Sequence, residues 1–485
     1  MRAARARTEE VRHRVAPVHW TTLLGAVSAA CFAVLAVTGV ALLFSYQPSA
    51  ERLVYDGTYA PLRGVEMSRA YYSVLHLSLE VRGGLLVRQT HHWAALILPA
   101  SLTLQMLVAF FTGGFRRPRR SAWVLLCLVF LLTLGGGWSG YGLPDDSLAG
   151  TGLRIVEGIT VGIPYVGPWL TAALFGDAFP GVVVTRLYWV HVVVVPVALA
   201  VVLLARMVVI RRNLPAQLPG PGRSEANLVG LPRASVLARQ VGMFLVATGL
   251  LVGIGGTVAI APVWLYGPSS ATSASAGSQP DWYTSFLDGA LRLVPPGWEV
   301  TVGGTWPLAV LLPQVLVAGF LTVVVLYPYL EAWTTKDRRD HHVLDRPRDA
   351  PNRTALGVAG LTFYGSLWAA GATDIVTTQL HLAFELQVYA LRTSLVVGPP
   401  LAFVVTRWVC RGLLERERDI RTQGLETGII VRSTTGDYSE RHLPPARTRR
   451  LPSTVSSVVR LPRARHAAPI HIAARKPSTK ADGSP

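Results

Sequence analysis

The sequence predicts an all-α integral membrane protein: eight transmembrane helices, an N-terminal four-helix bundle followed by further C-terminal helices, with both termini in the cytoplasm. Three observations carry that prediction. The 485 residues are 51% apolar and only 15% charged, with a mean hydropathy of +0.38, whereas a soluble domain carries about a quarter charged residues. Eight apolar runs are each long enough to cross about 30 Å of hydrocarbon at 1.5 Å per helical residue. The connections between them alternate between rich and poor in Lys and Arg. A soluble enzyme is excluded, because so few charges would leave large apolar surfaces in water.

In chain order the spans run from Trp20 to Tyr46, Trp93 to Thr112, Ser121 to Leu143, Leu187 to Ala205, Val241 to Tyr266, Thr305 to Leu330, Thr354 to Ala372 and roughly Gln387 to Val405. The eighth contains Arg392, a charge that must be buried or snorkel to the interface. The first run is too long for a leader and lacks a small-residue cleavage site, so it reads as a membrane anchor. The connections Gly113 to Arg120, Arg206 to Gln240 and Glu331 to Arg353 hold four, six and six Lys/Arg, and with the amino terminus they make 21. The opposite connections, 47–92, 144–186, 267–304 and 373–386, hold five, two, one and none. The positive-inside rule then places both termini in the cytoplasm.

A net charge of +18 raises the question of nucleic acid, and its location answers it. The first fifteen residues carry five Arg against two Glu, and the stretch from Arg441 onward carries ten Lys/Arg against one acid. Charge on tails and loops is not one face of a nucleic-acid-binding domain. The chain divides into a basic N-terminus (1–16), a four-helix bundle (17–212), a C-terminal region (213–431) and a basic tail (432–485). The tail is rich in Pro, Ser, Arg and Ala without apolar periodicity, which predicts disorder, and its arginines suit anionic lipid. Cys31, Cys127 and Cys410 lie in or beside apolar spans with no C-x-x-C-H. Covalent c-type haem and a disulfide framework are thereby excluded.

Polar groups within spans are costly and usually functional. The His91–His92 pair opens the second span and His191 lies inside the fourth. Both spans run from the outer to the inner side, so these histidines share a depth. Two neutral imidazoles facing each other across a bundle can hold a haem iron from both sides; two unrelated interfacial histidines are the alternative.

Four stretches occur in order: Arg88-Gln89-Thr90-His91-His92-Trp93-Ala94-Ala95, Gly140-Tyr141-Gly142-Leu143-Pro144-Asp145-Asp146, Arg186-Leu187-Tyr188-Trp189-Val190-His191 and Gln279-Pro280-Asp281-Trp282-Tyr283. Together they closely resemble the cytochrome b subunit of quinol–cytochrome c reductases in its actinobacterial form, over roughly residues 17 to 430. The resemblance implies two b haems stacked in the first four helices. By it, the outer haem takes His91 and His191 as axial iron ligands, Arg88 as a propionate partner, and Gly39 and Gly140 as points where the porphyrin approaches the backbone. His92 points about 100° away on the helix and is not a ligand in this reading. A Rieske iron–sulfur subunit and a c-type cytochrome subunit are the implied partners, in a dimeric complex.

At the inner haem the sequence departs from that pattern. Fourteen residues after His91, where the resemblance implies a second helix-B histidine, stands Gln105; fifteen after His191 stands Arg206. An amide is a poor iron ligand and a guanidinium has no lone pair to give. The implied propionate arginine is Val108, and the implied glycine fourteen residues before Gly140 is Leu126; Gly25, its counterpart on the first helix, remains. Four losses converge on one cofactor, so the chain is expected to keep one haem b. Two arrangements of the vacated space stay open: Gln105 hydrogen-bonded to Arg206 as a plug, or ligation by the neighbouring Met106 and Met207.

The Pro-Asp-Trp-Tyr stretch matches the family's quinol-oxidation motif, with Asp281 in place of the family's Glu as proton acceptor, Tyr283 as its hydrogen-bond partner and Trp282 as a wall or interfacial anchor. Read without the resemblance, Pro280-Asp281 equally opens an amphipathic helix. The implied activity is electron transfer from quinol or menaquinol at the outer face. A non-catalytic paralogue kept for assembly or partner binding is the second reading.

Overall fold

The computed structural model describes residues 15–176, 179, 181–270, 272, 274–275 and 277–443, and the backbone of Ser457–Arg460. Within hydrocarbon every backbone polar group must find its partner internally, and the apolar runs accordingly form helices. In chain order these are α1 (Leu24–Leu43), α2 (Arg69–Leu79), α3 (Gly84–Phe111), α4 (Arg120–Tyr141), α5 (Ser147–Val161), α6 (Gly167–Leu174), α7 (Val183–Trp189) and α8 (Val195–Arg212). They continue as α9 (Arg233–Thr257), α10 (Ser285–Leu293), α11 (Leu308–Thr335), α12 (Pro351–Ala370), α13 (Thr373–Leu380) and α14 (Phe384–Gln423).

Among the described residues, seven helical stretches are long and apolar enough to cross a membrane: α1 with its leading turn, α3, α4, α7 through α8, α9, α11 and α14. The pair α12–α13, bent by 59°, supplies an eighth. Each coincides with one of the eight spans expected from sequence. The largest difference is at α14, which runs on to Gln423 rather than ending near Val405; α3 in turn starts at Gly84 rather than Trp93. Arg82 and Arg88 lower the hydropathy there without stopping the helix, so His91 lies about two turns inside α3 rather than at its mouth.

In the N-terminal half α1 packs on α3, α3 on α4, and α4 on α8; α9 covers α1 and α3, while α12 packs on α10 and α14. One apolar core joins both halves: Val34, Leu98, Leu102, Leu126 and Phe130 from the bundle meet Tyr283, Phe286 and Leu367. Cys31, Cys127 and Cys410 are buried free thiols, as expected of packing residues. Arg392 donates from Nε to the Leu293 carbonyl at 2.8 Å, which settles its charged head against the end of α10.

The expectation of a disordered tail from residue 432 needs correction at its start. Leu425–Arg432 and Tyr438–Leu443 form an antiparallel hairpin, closed by Gly436 at φ 95° and by the Asp437 carbonyl, which accepts from Ser433 N at 2.7 Å. The β-branched run Ile429-Ile430-Val431 favours a strand. Farther on, Ser457–Arg460 pairs with Asn227–Gly230 of the strand Asn227–Pro232. The remainder of the tail and residues 1–14 lie outside the described residues.

Candidate functional site

His91 on α3 and His191 face each other at one end of the four-helix bundle, the end that the charge count assigns to the outside. Their ring centres are 6.2 Å apart and the rings are inclined by 66°. Two imidazoles sharing one metal ion at bonds of about 2 Å have ring centres roughly 6 Å apart. The tautomers follow from the neighbours. Thr38 spends its hydroxyl hydrogen on the Val34 carbonyl at 2.6 Å, so its oxygen accepts from His91 Nδ1–H at 2.8 Å. His191 Nδ1 donates to the Gly136 carbonyl at 3.0 Å, with Ser139 Oγ at 3.2 Å. With both Nδ1 atoms protonated, both Nε2 atoms keep a free lone pair, the state required of an axial ligand.

Local backbone features make room for this pair. His191 lies in a five-residue π-turn, Val190–Val194, inserted between α7 and α8. Pro196 just beyond it has no N–H to donate, and the wider turn is a common device at functional positions. A Cβ on Gly39 would stand 3.3 Å from His91 Cε1, and one on Gly140 only 2.6 Å from His191 Cε1. The two glycines therefore give clearance to the imidazoles themselves, where the resemblance implied clearance for porphyrin. Arg88, one turn before His91, donates from Nη2 to the Ala261 carbonyl at 2.9 Å and lies 6.0 Å over the Trp264 ring. Its Nε is buried without a partner, a donor left for an anion. Free Nε2 lone pairs, close-approach glycines and an unspent guanidinium donor fit a b haem at this place.

The inner positions are built differently. Gln105 donates to Ser28 Oγ at 2.8 Å, Ser28 meets Ser101 Oγ at 2.7 Å, and Ser101 donates to the Leu24 carbonyl at 3.2 Å. This buried chain ties α1 directly to α3. Gln105 thus gives its amide to Ser28 on the adjacent helix in place of the expected bond to Arg206. Arg206 Nε is buried without a partner. Leu126 is 3% exposed within the core, and Val108 lines a 330 Å³ cavity with Trp20, Leu107, Phe111 and Pro347. Met106 packs against the core while Met207 stands 41% exposed, so the two thioethers do not converge.

Asp281 sits in the loop before α10, whose position is fixed from several sides. Gln279 donates its amide to Asp374, Tyr141 donates to the Gln279 carbonyl at 3.3 Å, and Trp368 Nε1 donates to the Trp282 carbonyl at 2.8 Å. Arg292 bridges Asp374 at 3.0 Å and Asp288 at 2.7 Å, locking α10 to the start of α13. Tyr283, fully buried, donates to Asp281 Oδ2 at 2.8 Å. Burial and the adjacent carboxylate hold its phenol far above the ordinary range, so it remains a donor. Trp282 is 37% exposed and donates to the Leu96 carbonyl at 3.3 Å, a wall against α3. Asp281 also leads into α10: its carbonyl accepts from Thr284 N at 2.9 Å and Ser285 N at 3.2 Å, a turn that runs on into the helix from Ser285.

Sequence reasoning overlooked His92, whose Nε2 lies 3.7 Å from Asp281 Oδ1. It also overlooked Thr38, Gly136 and Ser139, the partners of the ligand histidines. The doubled histidine was the available signal for the first. The others are visible only once helices are paired. Asp145 and Asp146, which follow α4, are buried; Asp146 caps α5 by accepting from Leu148 N at 2.9 Å and Ala149 N at 3.0 Å.

Comparison with known proteins identifies the family. Residues 96–268 match the family model described as cytochrome b(N-terminal)/b6/petB. The cytochrome bc1 complex cytochrome b subunit of Streptomyces coelicolor is 40% identical over 434 residues, covering 89% of this chain and 79% of that protein. The corresponding subunit of Mycobacterium tuberculosis is 41% identical over 440 residues with the same coverage, and that of Corynebacterium diphtheriae 39% over 434. A chain of a solved hyperthermophilic respiratory Complex III shares the fold, with TM-score 0.59 and 19% identity over 82% of this chain and 95% of that one. With that identity sustained across most of both sequences, the chain belongs to the family of cytochrome b subunits of the cytochrome bc1 complex.

Proposed function

We propose that the chain transfers electrons from a quinol, of the menaquinol class, oxidised at the outer membrane face, through a single b haem held by His91 and His191. The observation that carries this reading is the facing histidine pair, with both Nδ1–H groups spent on Thr38 and Gly136 and both Nε2 atoms free. A b haem bound there supplies a one-electron acceptor beside the quinol. Arg88 Nε would pair with a propionate, and Gly39 and Gly140 keep the two rings free of side-chain clash. Asp281 accepts the hydroxyl proton, with Tyr283 holding its second oxygen. The second electron would leave to a Rieske iron–sulfur partner and on to a c-type cytochrome, and the haem's electron would have to follow to that same outer acceptor before the next turnover, in a dimeric complex whose cytochrome b termini face the cytoplasm.

In this reading the inner haem is absent. Its ligand positions are Gln105 and Arg206, its propionate anchor is Val108, and Leu126 takes the ring's space. An electron would have to cross about 20 Å more, fourteen residues of helical rise. The chain alone therefore does not complete an ordinary quinone cycle. Pyridine haemochrome analysis of the purified protein tests the count: one haem per polypeptide is expected, and two would overturn the lost-site reading. None at all would favour the non-catalytic paralogue. Quinol-dependent reduction of a c-type acceptor, compared with Asp281→Asn, tests the chemistry; an unchanged rate in the variant would remove Asp281 from its role.

A further inference from the structure

We infer that His92 is a positioning residue for quinol oxidation: its imidazole orients the Asp281 carboxylate toward the substrate. The inference rests on the reading of Asp281 as the proton acceptor. His91 and His92 are consecutive on α3, so their side chains diverge by about 100°. The first turns into the bundle toward His191; the second turns to the loop that carries Asp281. His92 Nε2 and Asp281 Oδ1 lie 3.7 Å apart, with side chains 22% and 19% exposed. Tyr283 occupies the other oxygen, Oδ2, at 2.8 Å.

The two flanks of this contact are pinned. Trp93 Nε1 donates to the Val258 carbonyl at 3.0 Å, and Trp282 Nε1 reaches back to the Leu96 carbonyl at 3.3 Å. One indole ties α3 to α9 and the other ties the Asp281 loop to α3, so His92 and Asp281 are held as neighbours. A carboxylate has about four lone-pair sites; with Tyr283 on one oxygen and His92 beside the other, two remain for a substrate hydroxyl. A separation of 3.7 Å exceeds hydrogen-bond length, and catalytic contacts of this kind commonly tighten when substrate arrives. The imidazole thus limits rotation of the carboxylate at the oxygen Tyr283 does not hold.

The test uses the assembled complex in membranes, with variants His92→Leu, His92→Gln, Asp281→Asn and the double Asp281→Asn/His92→Leu. Quinol-dependent reduction of a c-type acceptor gives kcat and KM, and the reduced-minus-oxidised spectrum reports the haem. His92→Leu is expected to lower kcat about tenfold with the haem band unchanged, as misplaced catalytic groups cost rate rather than binding. His92→Gln, whose amide N–H reaches the same carboxylate, is expected to stay within about threefold of the wild type. In the Asp281→Asn background His92→Leu should cost nothing further, since the two act as one unit. A wild-type kcat in His92→Leu, a full tenfold loss retained in the Asp281→Asn background, or a His92→Gln no better than leucine would overturn the proposal. So would loss of the haem band in His92→Gln, which would assign the residue to the haem site. The Asp281→Asn arm separates the two claims: if it alone is impaired, only the role of His92 fails; if it turns over normally, the reading of Asp281 fails first.

Discussion

Replacing Gly140 by Ala tests the outer haem site with a single methyl group. A Cβ there lies 2.6 Å from His191 Cε1, against 3.4 Å for ordinary contact, so the ring must retreat by about 0.8 Å, several times the ~0.2 Å tolerance of a metal–ligand bond. The ring is not free to slide, because Nδ1 is tied to Gly136 and Ser139. Alanine favours a helix over glycine by about 1 kcal/mol, so α4 itself gains, and any loss reports ligation rather than unfolding. Gly39→Ala is the internal control: at 3.3 Å from His91 Cε1 its Cβ asks for only a slight adjustment. Haem per polypeptide and the reduced α-band provide the assay. We expect haem affinity to fall about tenfold or more in Gly140→Ala and to be nearly preserved in Gly39→Ala. A Gly140→Ala protein with a full haem complement and an unshifted band would refute the assignment of His191.

Other outcomes follow from the same geometry. Thr38→Val leaves His91 Nδ1–H buried without an acceptor, a cost of about 1–3 kcal/mol. The less basic imidazole then raises the haem midpoint potential by a few tens of mV; equilibrium redox titration should show this, with Thr38→Ser unchanged. The double variant Gln105→His/Arg206→His should still bind one haem, because Leu126 keeps its place in the core; a second haem in its haemochrome would disprove that steric argument. Burial raises the Asp146 carboxyl to about 6, against the opposing pull of the Ala149 and Leu148 N–H groups. The native state then holds the proton more tightly than the unfolded chain, so this contribution is full below pH 3.8 and is lost as pH rises through 6, amounting to on the order of 2–3 kcal/mol. Asp146→Asn keeps a good helix cap and should flatten that slope in thermal melts between pH 4 and 7, at no loss of stability at pH 7.

Much of the fold was legible because hydrocarbon imposes one rule on the backbone. Each of the eight spans was marked by its own apolar run, and the convergence of His91 and His191 by their shared depth. What escaped was non-local or phase-dependent. The start of α3 at Gly84 was hidden by Arg82 and Arg88, which end a hydropathy window without ending a helix. His92 was set aside because it points away from His191; the group it points toward, Asp281, lies far along the chain. Gln105 was paired with Arg206 by position along the bundle, while packing gave it Ser28. The π-turn around His191 has no sequence mark except Pro196. The hairpin at 425–443 straddles the boundary drawn at 432, so only its turn and second strand were read as tail.

The Gln105–Ser28–Ser101 chain has a consequence for energetics as well as for cofactor count. In the single-haem reading this chain, with Leu126, stands where an inner electron carrier would sit, so no carrier links the outer site to the cytoplasmic side. Moving one charge across the bilayer costs about 2.3 kcal/mol per 100 mV of membrane potential. If the proposed single-haem reading holds, electrons stay in the outer half and the subunit does almost none of that work. Its turnover would proceed at the same rate in an energised or a discharged membrane, and it would contribute no charge separation of its own.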